Sequence, residues 1–175
     1  EEDPLQWWEN VKVLISGLMK NTGIKGDDIA AVGVSGMVPT LICLDKFGRP
    51  LRWSIQQNDA RAIREITELK EKLEESSILA RTGSAITQQS IAPKLMWLQR
   101  HEPEVLKETD SICGSYDFIV RCLTGHKVPA TEANWALESG LYDFRSRDWD
   151  KEICSTAGIN QDWLGKVYQS SDIVG

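Results

Sequence analysis

Apolar positions along the chain fall into two periods. Leu5, Trp8, Val11, Ile15, Leu18 and Met19 recur at three- and four-residue steps, which predicts one helix face, with Asp3 as N-cap, Pro4 at the first helical position and Asn21 to Gly23 as the end. "IAAVGVS", residues 29–35, is an almost unbroken apolar run of strand length, the pattern of a strand covered on both faces of an α/β sheet. "PTLICLD" and "LRWSI" read as two further strands, joined at Lys46, Phe47, Gly48 and Arg49 by a hairpin turn in which glycine tolerates the positive φ.

From Asp59 the period becomes helical again. Ile63, Ile66, Leu69 and Leu73 share one side, and the Glu and Lys residues opposite them form a solvated face. "RTGSAITQQS" is a polar loop. "APKLMWLQRHEP" predicts a short helix opened by Pro93, with another starting at Pro103. "SYDFIVRCLTG" predicts an apolar helix stopped by Gly125, and "RDWDKEICSTAG" a helix begun at Asp148 and closed by Gly158. One helix, three strands and then mostly helix is an unbalanced set, because so small a sheet leaves an edge or a face uncovered. Further strands are expected, and a start at Glu1 without an initiating Met fits a piece of a longer protein.

The 175 residues suit one domain, and 41% hydrophobic with 26% charged residues is the composition of a soluble globular protein. A net charge of −6, with no basic cluster, argues against a nucleic-acid partner. The apolar runs are too short to span a membrane, and the first twenty residues lack the pattern of a signal peptide. Cys43, Cys113, Cys122 and Cys154 contain no C-x-x-C pair, which fits a reducing cytoplasm and no disulfides. His101 and His126 have no ligand-spaced partner, so a His-based metal site or a Ser-His triad is not expected.

Three blocks carry a resemblance. "GVSGMVPTLICLDKFGRPLRWSIQQNDAR" is similar to the stretch of xylulokinase-like sugar kinases that reads Gly-(Leu/Val)-Ser-Gly-Gln-Met-His-Gly, an apolar strand, Gly-Arg-Pro-Leu-Arg and Trp-Asn-Asp-x-Arg. "TGSAITQQSIAPKLMWLQRHEPEV" resembles a Thr-Gly … Ala-Pro-Lys-Leu-x-Trp-Leu block. "SYDFIVRCLTGHKVPATEANWALESGLYDFRSRDWD" resembles a block with Asp-Tyr, Leu-Thr-Gly, Thr-Asp-x-Ser-x-Ala-Ser-Gly and Arg-x-Trp. On these the chain is identified as a member of the FGGY carbohydrate kinase family, collinear over almost its whole length.

The resemblance implies an α/β fold: a partial RNase H-like (actin-like ATPase) domain, with a mixed sheet and flanking helices. Residues 1–175 would be one partial, sugar-binding domain, lacking its first hairpin with the phosphate loop, its carboxy-terminal end and the second, ATP-binding domain. The implied activity is transfer of the γ-phosphoryl group of ATP, with Mg2+, to a hydroxyl of a ketose or polyol. That chemistry needs donors around the phosphates, a metal and a carboxylate that accepts the hydroxyl proton. The family's base lies in a Gly-Asp-Gln or Gly-Asp-Asn triplet, which residues 1–175 do not contain, so this chain alone is expected to be inactive. The implied partner is a small sugar or polyol, with no nucleic acid and no membrane, and a homodimer is left open. The alternative is a non-catalytic sugar-binding or scaffold protein that keeps the kinase fold.

By position, the family's Gln-Met-His-Gly falls on Met37, Val38, Pro39 and Thr40, and the Trp of Trp-Asn-Asp falls on Gln57, while Asn58, Asp59 and Arg61 are retained. Gln89 falls where relatives place a side chain near the substrate. Met37, Val38, Pro39, Gln57, Asn58, Asp59 and Gln89 are thus the substrate-binding candidates, no catalytic or metal residue is assigned, and a substrate other than D-xylulose is left open. Each has a plainer reading. Met37, Val38 and Pro39 would cover core at a strand end, Asn58 and Asp59 would cap the next helix, and Lys94 would be a surface or interdomain contact. Glu132, in the place of the family's Asp, reads as a helix cap ahead of a general base. Of seven tryptophans only Trp53 and Trp135 fall near the candidate pocket, and neither is assigned to the ligand.

Overall fold

The amino-terminal helix begins and ends at its sequence caps. Asp3 accepts a hydrogen bond from the Leu5 backbone N–H at 2.9 Å, Pro4 takes the first position, and Gly23 closes the helix at φ 74°. This computed structural model describes residues 1–175. Its helices are α1 (Pro4–Thr22), α2 (Ile63–Lys72), α3 (Glu75–Thr82), α4 (Ile91–His101), α5 (Pro103–Glu108), α6 (Ser115–Thr124), α7 (Ala133–Glu138) and α8 (Lys151–Thr156). Its strands are β1 (Ile42–Leu44), β2 (Ser111–Cys113), β3 (Thr131–Glu132), β4 (Tyr142–Asp143), β5 (Asp148–Trp149) and β6 (Val167–Tyr168). No helix is long and apolar enough to cross a membrane.

The centre of the sheet is β1 paired antiparallel with β2, in the register Ile42 to Cys113, Cys43 to Ile112 and Leu44 to Ser111. All six residues are buried, so both faces are covered. The predicted hairpin is present: the Gly48 N–H donates to the Asp45 carbonyl at 2.7 Å with Gly48 at φ 75°, and Leu41 bridges Ile55 across it. "LRWSI" adds isolated bridges there and no full strand. β3 pairs in parallel with β6, and β4 antiparallel with β5.

Residues 29–35 are not a strand. Apart from the Ile29 N–H, which donates to Gly26, their backbone makes no backbone hydrogen bond, and Ile29 and Val32 are exposed. A strand needs a second backbone alongside, and none lies beside this run. The buried stripe of α1 also differs from the expected one. Trp7, Trp8 and Val11 pack on Ile42, Leu44, Cys113, Phe118 and Ile119, while Leu5, Ile15 and Leu18 face outward.

The larger core surrounds α4, whose Ile91, Ala92, Leu95 and Leu98 are fully buried against residues of α2, β1 and α7. Burial of each Leu or Ile side chain contributes about 1.5–3 kcal/mol. Charges at the edges of this core are paired, as burial requires. Arg100 of α4 reaches Glu65 of α2 at 2.7 Å, and Arg81 of α3 reaches Asp150 at 2.6 Å and Glu152 at 2.7 Å. Asp150 is the N-cap of α8, accepting from the Ile153 N–H at 2.9 Å; the expected cap, Asp148, belongs instead to β5.

Candidate functional site

The segment that precedes β1 is held from two sides. The indole N–H of the fully buried Trp135, in α7, donates to the Thr40 carbonyl at 2.9 Å, and the Ser115 hydroxyl donates to the Met37 carbonyl at 2.8 Å. Trp135 is therefore a core anchor. Pro39 is buried and Val38 packs against the main core, so Met37 alone of the three presents its side chain to solvent, 55% exposed.

The turn after Ile55 comes up beside it. The Gln57 side-chain amide lies 2.8 Å from the Met37 sulfur, and Asn58 is exposed. Asp59 is engaged internally: Arg61 donates to it through Nε at 2.8 Å, Nη2 at 2.7 Å and its own backbone N–H at 3.0 Å. Those bonds hold the Asp59 carboxyl down at about 2, against partial burial. Asp59 does not cap α2, which starts after Ala62 with no side-chain cap. Arg61 also stacks over Trp97, 4.9 Å from the ring centre.

Gln89 sits exposed in the loop before α4, joined to the Gln57 turn through Lys94. Lys94 is not a surface residue. It is fully buried, and its ammonium donates to the carbonyls of Gln56 at 2.8 Å, Gln57 at 3.3 Å and Gln89 at 3.3 Å. Burial pushes its pKa down to about 8, with the Asp59 charge acting in the other direction.

A cavity of about 300 Å3 opens next to Met37, lined also by Val34, Gly36, Gln56, Ser115 and Tyr116, which is the lower end of the range for small-molecule sites. Of the sequence candidates, Met37 and Gln57 touch, Gln57 and Gln89 share Lys94, and only Met37 lines this cavity. Gln56, Ser115 and Tyr116 were not singled out from sequence. The available signal was "SICGSYD", a short apolar run, a glycine and a helix start, which is a strand-to-helix turn.

Glu132 is fully occupied as a cap. It accepts from the Asn134 N–H at 2.7 Å, the Tyr116 hydroxyl at 3.0 Å, the Ser170 hydroxyl at 2.7 Å and the Asn134 side-chain amide at 3.2 Å. Behind it, the buried Asp117 accepts from the backbone N–H groups of Gly114 and Glu132, each at 3.0 Å. Burial pushes the Asp117 carboxyl up to about 7 against the pull of those amides. Mg2+ finds no ligand set among these residues. No three His, Cys, Asp or Glu side chains come together; Asp59 is taken by Arg61 and Glu132 by the α7 cap, and Glu2, the carboxylate that lines the cavity, accepts from the Trp7 indole N–H at 2.9 Å.

Comparison with known proteins bears on the family and the fold. The sequence model described as the FGGY family of carbohydrate kinases, N-terminal domain, matches residues 1–175. Xylulose kinase of Escherichia coli K12 is 30% identical over 175 residues, all of this chain and 35% of the relative. Autoinducer-2 kinase of the same strain is 29% identical over 171 residues, 96% of this chain and 32% of the relative. The crystal structure of xylulose kinase from Rhodospirillum rubrum superposes with a TM-score of 0.87 at 37% identity, covering 96% of this chain and 35% of that one. The fold is accordingly the actin-like ATPase fold of these kinases, and the chain spans about a third of the length of the relatives it matches.

Proposed function

Because this chain belongs to the FGGY family of carbohydrate kinases, whose N-terminal domain its residues match from 1 to 175, we propose that it is the sugar-binding part of an ATP-dependent kinase of a ketose or polyol. The observation that carries the reading is the meeting of Met37 and Gln57, 2.8 Å apart beside the 300 Å3 cavity. Met37 lines that cavity, and Gln57 touches Met37 next to Gln56, which lines it too.

The roles follow from side-chain chemistry. The amides of Gln57, Asn58 and Gln89 each offer donors and an acceptor, which suits a row of hydroxyls. The Met37 thioether is a soft apolar surface for the C–H face of the sugar. Relative to relatives with a polar residue and an indole at those positions, hydrogen-bonding capacity moves from the Met37 side to the Gln57 side, and sugar preference moves with it. Holding the acceptor hydroxyl in one place is this chain's contribution to rate. The phosphoryl group would come from Mg-ATP held outside these residues, and no proton acceptor is assigned among them: the carboxylates at hand, Glu132, Asp59 and Glu2, already accept hydrogen bonds from the α7 start, Arg61 and the Trp7 indole.

The test is ADP release by the complete gene product with Mg-ATP and a panel of ketoses and polyols. Release with at least one sugar is expected. No release with any sugar overturns the kinase reading, and heat on sugar addition in calorimetry would then favour a sugar-binding protein that does not catalyse.

A further inference from the structure

Lys94 is a fully buried ammonium that makes its hydrogen bonds to no carboxylate. An ammonium in the interior is strongly unfavourable unless its charge and its three N–H groups are met. Here all three donors go to backbone carbonyls, two at Gln56 and Gln57, some 38 residues upstream, and one at Gln89, five residues before it. Its neighbours on α4, Ile91, Leu95 and Leu98, are apolar, so hydrocarbon would fill the position as well. What hydrocarbon would not do is fasten the Gln57 turn to the Gln89 loop.

We propose that Lys94 is the positioning residue of the sugar site: by clamping the carbonyls of Gln56, Gln57 and Gln89 it fixes the spacing of the Gln57 and Gln89 side chains and so governs KM for the sugar. This rests on the sugar-site reading above. The clamp depends on charge. A neutral amine keeps two donors and turns a lone pair toward the third carbonyl, which repels it. The charged groups that act on Lys94 are Asp59 and Arg61, and the loop from Gly83 to Ser90 carries none. Asp59 is held near 2 and Arg61 stays protonated, so neither titrates where Lys94 does, near 8. The sugar KM should therefore climb as pH passes about 8.

The experiment is steady-state kinetics of the complete gene product, wild type and Lys94→Met, from about pH 6.5 to 9.5, with Gln57→Ala and Gln89→Ala as references. Lys94→Met is expected to raise the sugar KM about tenfold or more, with kcat and the KM for ATP within about threefold, and to flatten the pH dependence of the sugar KM. A sugar KM unmoved by Lys94→Met but raised by the two glutamine variants overturns the inference and leaves the site reading standing. A fall in kcat alone also overturns it, since that marks a merely structural lysine. If neither glutamine variant moves the sugar KM, the site reading fails and the inference with it. Should Lys94→Met not fold, the wild-type profile decides: a sugar KM flat across about pH 8 overturns the proposal.

Discussion

The Trp135 indole N–H and the Thr40 carbonyl, 95 residues apart in sequence, meet at 2.9 Å with both residues fully buried. This bond fixes the segment that carries Met37 to the start of α7. Replacing Trp135 with Phe removes the donor, strands a buried carbonyl and leaves a small void. The expected loss of stability is about 2–4 kcal/mol, read as a lower urea midpoint with an unchanged slope. A midpoint within error of wild type would contradict it.

Gly114 is the junction between β2 and α6, at an ordinary φ of −88°. Its requirement for glycine is steric, because a Cβ there would lie 2.3 Å from Trp135 Cδ1. Gly114→Ala is expected to cost about 1–3 kcal/mol by overpacking. Since the same indole holds Thr40, thermal melting of Trp135→Phe and the double variant should show the Gly114→Ala cost reduced when the ring is smaller.

The helices were legible where their ends are written in local chemistry: Asp3 with Pro4, Pro103 and Gly125 all end or begin helices where the sequence reading puts them. The strand expected at 29–35 was not, because an apolar run reports burial while a strand requires a partner backbone, and only the fold decides which backbones lie side by side. β2 is three residues long and offers too few positions for a period to register. The sequence reading put the α8 start at Asp148, whereas the cap is Asp150, which pairs with Arg81 on α3, about seventy residues earlier, a contact that no local window contains. The site shows the same division. Met37 and Gln57, candidates by position, do touch, whereas Lys94 reads from sequence as a surface or interdomain contact, and its burial is visible only once α4, the Gln57 turn and the Gln89 loop are packed together.

Asp117 gives a pH dependence with a definite sign. Its folded-state pKa, about 7, lies above the ordinary carboxylate value of 3.8, so between those values the folded state holds more protons than the unfolded state. The contribution from this group is fully present below about pH 4 and is lost as pH rises through about 7. Asp117→Asn should remove this component, giving urea midpoints that fall less between pH 4.5 and pH 7.5 than those of wild type. A steeper fall in the variant would refute the assignment.

The four cysteines should differ in reactivity. Cys43, Cys113 and Cys154 are buried, with burial pushing the thiol pKa values up, to about 12 for Cys43 and about 11 for Cys154. Cys122 is half-buried and also raised. Since the thiolate is the reacting species, a colorimetric disulfide reagent at neutral pH should label at most Cys122 slowly in the folded protein and all four in urea. Rapid labelling of two or more in the folded state would contradict the packing around β1 and β2.

Glu132 is the position at which cap and catalyst can be told apart. Four donors converge on its two oxygens, from the Asn134 backbone and side chain, Tyr116 and Ser170, so no lone pair points freely at a sugar hydroxyl. Glu132→Gln keeps one carbonyl oxygen for the Asn134 N–H and turns the other acceptor into a donor. The helix start should weaken, with a stability loss of about 1 kcal/mol, visible as a lower melting temperature. A general base contributes on the order of 10²–10⁴ to rate, so its removal would leave kcat of the complete gene product down by at least a hundredfold. For a cap, kcat with the preferred sugar should stay within about tenfold of wild type. A hundredfold fall in kcat with an unchanged melting temperature would reverse the assignment and move the proton-accepting role onto α7.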